Sequence, residues 1–195
     1  MIVVDMESSG IDPSRHSLLS VGAVDFSNPE HTFYGECRIW NGAHVDEEAL
    51  AVNGFTYKET IDPKKQTDGE LVAKFLEWAL SCPEKTIAGQ NPSADRDFLR
   101  AAAFRYHQNW PFAFRTVDLH SIAYAHHVKR GLRPPEKLGH SALSLDKILV
   151  YVGLPEEPKP HNGLRGAKYE AEVFSRLFYD RTFFPEFAEY KIPWI

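Results

Sequence analysis

The sequence predicts an α/β domain: a mixed central sheet, built from a three-strand antiparallel meander plus parallel strands, flanked by helices. Three observations carry that expectation. Apolar, β-branched runs at the N-terminus, at Leu18–Phe26 and at Thr32–Trp40 are separated only by turn-forming residues, as in a meander. From there on, helical periodicity alternates with short apolar stretches at Lys85–Ala88 and Phe114–Val117, the rhythm of helices packed on added strands. The chain has 195 residues, 43% of them hydrophobic and 25% charged, which suits one core without disulfide staples.

The elements follow in order. Met1–Val4 leads into Asp5, Met6 and Glu7 and reads as a buried strand that Ser8-Ser9-Gly10 turns. The next two strands are joined through Ser27-Asn28-Pro29. Asp46-Glu-Glu-Ala-Leu50 begins a short helix that Asn53-Gly54 ends. Thr67, with Glu70 three residues on, forms a capping box ahead of Leu71, Phe75, Trp78 and Ala79. Helices are expected at 93–108, 118–130, 143–152 and 163–179, with Asp118 capping the second. Gly131–Gly139 holds two prolines and reads as a mobile loop. The main domain spans 1–180, and the aromatic tail 181–195 folds back over it; a homodimer contact through the tail is the alternative.

Acidic residues carry the chemistry. Side chains alternate along a strand, so Asp5 and Glu7 share a face about 6–7 Å apart. Two carboxylates ending an apolar strand repel each other and lose hydration, which a hard divalent cation would offset. Hydration at an exposed strand end would serve equally for this pair alone. Further on, Asp95 shares a helix face with Phe98, Leu99, Ala102 and Tyr106, whereas Asp97 falls on the polar side. A carboxylate on a buried helix face near strand ends needs a partner.

The third stretch, His161–Phe174, opens the last long helix. Together the three stretches resemble the DEDD 3′→5′ exonucleases, the group containing ribonuclease T, oligoribonuclease and the proofreading subunit of bacterial DNA polymerase III. Asp5-Met-Glu7-Ser-Ser-Gly10 is similar to the first motif; Gly89-Gln-Asn91 with Asp95 and Phe98-Leu99 is similar to the second. His161, followed by Ala167 and Ala171-Glu-Val-Phe174, resembles the third. The resemblance implies a ribonuclease H-like fold and a metal-dependent 3′→5′ exonuclease of single-stranded ends or short oligonucleotides, using two Mg²⁺ or Mn²⁺ ions. It implies that Asp5, Glu7 and Asp95 hold the ions and that His161 acts as general base. In the turn after the acidic pair, the backbone N–H groups of Ser8, Ser9 and Gly10 are placed to hold the terminal 3′-OH or its phosphate; Met6 and Ile11 read as packing on the end base, with Met6 equally readable as core, and Asn91 as shaping the turn of the second motif.

One position departs from the family pattern. The third motif is His-x-x-x-x-Asp, and five residues beyond His161 stands Gly166. Glu170, one turn further and on the inward stripe with Ala167, Phe174 and Leu177, is the expected replacement ligand, reaching back into the room a small residue at 166 leaves, with a glutamate snorkelling from the edge of the apolar face as the alternative; Glu172 is expected to face outward. Asp146 is a weaker candidate on an amphipathic helix. The alternative to an active enzyme is a catalytically impaired relative that binds nucleic acid or a protein partner; a nucleotide phosphodiesterase is a third reading.

Bulk properties narrow the setting. A net charge of −5 argues against a broad footprint on duplex nucleic acid but not against action at a strand end. His126-His127 before Val128-Lys-Arg130 reads as a solvated helix end or a backbone contact. Cys37 and Cys82, with no secretory signal and no apolar stretch of spanning length, point to free thiols and a cytoplasmic protein without membrane contact.

Overall fold

The structure, a computed structural model, describes residues 1–195. Its five-stranded sheet has the order β3-β2-β1-β4-β5: β1 is Ile2–Ser8, β2 Leu18–Asp25, β3 Asn28–Glu36, β4 Ile87–Gly89 and β5 Thr116–Asp118. The first three strands form the expected antiparallel meander, with Asp5 opposite Gly22 and Glu7 opposite Ser20. β4 and β5 add to β1 in parallel, so the sheet is mixed. β3 stops at Glu36, short of the expected Trp40, because Arg38 leaves the meander to pair with Thr67.

Strand parity divides the core into two layers. Ile2 and Val4 of β1 join one buried cluster with Phe75 and Leu99, contributed by α3 (Asp68–Ser81) and α4 (Ser93–Arg105). Val3 points the other way, into a second cluster with Leu149, Ala167 and Phe174, contributed by α6 (Leu145–Tyr151) and α7 (Gly163–Tyr179). Asp5 and Glu7 continue the parity of Val3 and therefore lie on the face that α7 covers. α7 comes very close to the sheet there: a Cβ built on Gly22 would overlap the Gly163 backbone.

Local signals worked where they were chemical. Thr67 and Glu70 form the capping box at α3, with Thr67 Oγ1 accepting from Glu70 N at 3.1 Å. Asp118 caps α5 (Leu119–Lys129), and Gly54 ends α1 (Glu47–Asn53) in the left-handed region. A further single turn, α2 (Tyr57–Thr60), carries its own capping box from Thr56 and Glu59.

Three expectations are corrected. The Gly131–Gly139 segment is not wholly irregular: β6 (Glu136–Lys137) pairs with β7 (His140–Ser141) through Leu138 and Gly139, both at positive φ, as a tight two-residue hairpin turn requires. His127 is not solvated; it is buried, stacks on Tyr151 at 3.7 Å between ring centroids and bonds Ala123 O, while His126 Nδ1 meets the Tyr151 hydroxyl. Glu172 does not face outward. It is fully buried and pairs with the equally buried Arg176 at 2.7 Å. Its other oxygen accepts from the backbone N–H groups of Phe183 and Phe184, and Arg176 donates to Val152 O and Phe187 O. The tail thus supplies the partners that make a charge tolerable on that face, and Phe184 and Phe187 are buried against α7.

Candidate active site

The acids converge where β1, β4 and β5 end. Asp5 and Glu7 come from β1. Asp95, in the first turn of α4, turns back toward β1, and its Oδ1 accepts the Met6 N–H at 3.1 Å. Glu170 reaches across from α7 to the end of β4, where its Oε1 accepts the Gln90 N–H at 3.1 Å. Its Oε2 is buried with no hydrogen-bond partner. Asp97 lies apart and pairs with Arg96, as the helical phase predicts.

Electrostatics mark this cluster as strained. Burial, then the charges of Glu157 and Asp95, raise Glu7 to about 7. Burial raises Asp95 to about 7. Asp5 is pushed well up by burial and then by Glu170, Asp95 and Glu7; Glu170 is pushed up by burial and then by Asp95. No lysine or arginine pairs with Asp5, Asp95 or Glu170.

Gly166 has a spatial reason. A Cβ built on it would overlap Asp5 Oδ2 and lie 2.9 Å from Asp5 Cγ. The Asp5 carboxylate lies over the bare backbone of α7, so a side chain at 166 would displace it. Glu170 does not reach back over Gly166; it bridges to β4 instead, beside Gly89, where a Cβ would be 2.9 Å from Glu170 Oε2.

His161 stands at the edge of the cluster. It lines a cavity of about 270 Å³ with Ser20, Tyr34, Asn53, Asn162 and Arg165. Ser20, opposite Glu7 in the sheet, has a buried hydroxyl with no partner, so the cavity adjoins the acids at Glu7. Glu157, buried in the loop before α7, faces His161 and Glu7; burial raises it while His161 and then Arg165 lower it. Arg165 approaches Glu157 at 3.4 Å and donates to Pro158 O. Sequence reasoning missed Glu157 and Arg165. Glu157 sits in irregular chain where no periodicity assigns a face; Arg165 carried a signal, four residues after His161 at the start of α7.

The turn after β1 is built differently from expectation. Ser9 is buried, its N–H donates to Ser17 O, and its hydroxyl bridges His44 O and Ser17 N, so it is committed to the fold and not free for a substrate. Ser8 Oγ donates to Gly10 O at 2.6 Å. At Gly10 a Cβ would strike the His16 ring and Asp46. Met6 packs on the α3/α4 cluster. Asn91 adopts positive φ (54°) and its N–H bonds Asp118, which shapes the turn into α4.

In fold and in motif order the chain is similar to the DEDD-type 3′→5′ exonucleases. No protein-family model matches the sequence. Among curated proteins, the chain is 25% identical over 187 residues to the 3′-5′ DNA exonuclease Cap18 of Escherichia coli, covering 89% of this chain and 88% of that one. Among solved structures it resembles the nuclease domain of 3′hExo, a DEDDh family member bound to rAMP, with TM-score 0.68, 16% identity, and 98% and 94% of the two chains covered. It also resembles the zinc-bound complex of E. coli ExoI with single-stranded DNA, with TM-score 0.72 and 16% identity over 92% of this chain and 41% of that one.

Proposed function

We propose that this protein is a metal-dependent 3′→5′ exonuclease that hydrolyses phosphodiester bonds at single-stranded 3′ ends or in short oligonucleotides, with two Mg²⁺ or Mn²⁺ ions as cofactor. The observation that carries the reading is the set of buried acids Asp5, Glu7, Asp95 and Glu170, with raised proton affinities and the orphaned Glu170 Oε2. Such a set is costly in itself, and divalent cations are the ligands that would relieve it. In this reading Asp5, Glu7, Asp95 and Glu170 hold the ions. When bound, the ions would lower the pKa of the attacking water and offset charge on the leaving oxygen.

The remaining groups act on the substrate or on protons. His161 takes the proton of the attacking water as general base. Glu157 orients His161 and is itself restrained by Arg165. Ser20 Oγ, unpartnered in the wall of the cavity that would receive the terminal nucleotide, offers it a hydrogen bond, while Asn53 is committed to Ser8 O and the Phe55 N–H and shapes the wall. Gly166 gives the Asp5 carboxylate the room to stand where it does. Its place in the motif thereby reads as a rearranged acid set and not as a lost one.

Digestion of 5′-labelled single-stranded DNA and RNA tests this. Shortening from the 3′ end in Mg²⁺ or Mn²⁺, abolished by chelator and by Asp5→Asn, is the expected result. Binding of either strand without shortening would replace this reading with that of an impaired relative.

A further inference from the structure

Only one trio of His, Cys, Asp and Glu side chains has its donor atoms within 4.8 Å of one another, and it is not the acid cluster: it is Asp25, His31 and Cys82. Asp25 ends β2, His31 lies in β3 and Cys82 follows α3. Asp25 is opposite Ile2, at the far end of β1 from Glu7, roughly 16 Å away at strand spacing. We propose that Asp25, His31 and Cys82 form a Zn²⁺ site that ties the β2–β3 hairpin to the end of α3.

The geometry is that of a coordination edge. His31 Nδ1 is 3.4 Å from Asp25 Oδ2 and 3.8 Å from Cys82 Sγ. Ligands bonded at about 2.0–2.3 Å to a tetrahedral zinc stand about 3.3–3.7 Å apart. A cation among the three donors would serve all of them, whereas without one the Cys82 thiol has only long contacts, to Trp78 O and His31 Nδ1, each at 3.8 Å, for its own proton. The far side of each polar ligand is already held. Asp25 Oδ1 accepts from Ser27 N at 2.9 Å and from Ser27 Oγ at 2.6 Å. His31 Nε2 lies 3.3 Å from Ser81 Oγ, which assigns its proton to that side and leaves Nδ1 as a lone pair facing the trio. The ring packs on Trp78 at 5.0 Å.

The donor set selects the metal. Thiolate, imidazole and carboxylate together suit Zn²⁺, while Mg²⁺ prefers oxygen alone. Asp25 and Cys82 are buried and His31 is partly exposed, so water completes the fourth position. Cys37, the other thiol, instead donates to Leu18 O at 3.2 Å.

Cobalt separates this site from the acid cluster, because only a thiolate gives a near-ultraviolet sulfur-to-cobalt band. Chelator-treated protein titrated with Co²⁺ is expected to develop that band at one equivalent. Cys82→Ser should abolish it, His31→Ala should weaken Co²⁺ binding at least tenfold, and Cys37→Ser should leave the band intact. Zn²⁺ at a hundredfold excess over its Kd should raise Tm by about 5–10 °C, and this rise should persist in Asp5→Asn. No band in the wild-type protein, a band that survives Cys82→Ser, or a zinc shift lost in Asp5→Asn would each overturn the proposal. Should Cys82→Ser fail to fold, His31→Ala gives the same reading.

Discussion

Replacing Asp95 with Asn should stabilise the metal-free protein while disabling it. Asp95 is buried, and its carboxyl is raised to about 7. Against an ordinary aspartate, that is about three units, or roughly 4 kcal/mol withheld from the folded state once the group is ionised. The sign follows from proton binding. Between about pH 4 and 7 the folded state holds a proton that the unfolded state has released, so stability falls as pH rises through that window. Asn keeps an oxygen to accept the Met6 N–H and carries no charge. Protons redistribute over Asp5, Glu7 and Glu170, so about half of the figure is recovered, near 2 kcal/mol, or about 4–8 °C in Tm for a chain of this size. Thermal unfolding in chelator at pH 8 should show Asp95→Asn melting above the wild type, and the two should converge near pH 4.5. In saturating Mn²⁺ the order should reverse, because only the wild type has the full acid set. A variant that melts at or below the wild type in chelator at pH 8 would refute the view that these acids are held at a cost.

Glu170→Gln should lower turnover at least a hundredfold and weaken Mn²⁺ binding, measured by calorimetry, while leaving the Gln90 N–H bonded to the amide oxygen; unchanged turnover would remove Glu170 from the site. Gly166→Asp, which restores the acid of the related motif, should reduce activity and lower Tm, because the new Cβ displaces the Asp5 carboxylate; a gain in kcat would contradict that packing. Glu172→Ala should destabilise by about 3–5 kcal/mol, since it strands the buried Arg176, and Glu172→Gln by less, as read from urea unfolding. Apparent Mg²⁺ affinity, read by calorimetry, should rise with pH through about 7, because Glu7 and Asp95 of the metal-free protein must release their protons to bind the ion, and Glu7→Gln should remove part of that dependence.

The parts of the fold read from sequence were those set by local periodicity. Strand alternation put Asp5 and Glu7 on one face, and the 100° step of a helix separated Asp95 from Asp97; both arrangements depend on a few neighbouring residues. The parts misread depend on distant chain. Glu172 reads as outward because a charge off the apolar stripe normally meets water, yet the N–H groups of Phe183 and Phe184 arrive from beyond the helix to bond it. His127 is buried by Tyr151. Glu157 lies in chain with no period at all, so only its final neighbours give it meaning.

Gly166 shows how a motif can mislead when read position by position. What a metal site needs is carboxylate oxygens at certain points in space, not acids at certain positions along a helix. A short residue at 166 lets the Asp5 carboxylate settle over the helix backbone, and α7 comes close to the sheet there because Gly22 and Gly163 meet without side chains. With that volume filled, a further acid has room only where the helix has turned once more, and the longer glutamate at 170 reaches β4 from there. The glycine and the glutamate are therefore one arrangement. Changing either alone should be worse than the arrangement as it stands, because an aspartate at 166 would put its Cβ where the Asp5 carboxylate lies.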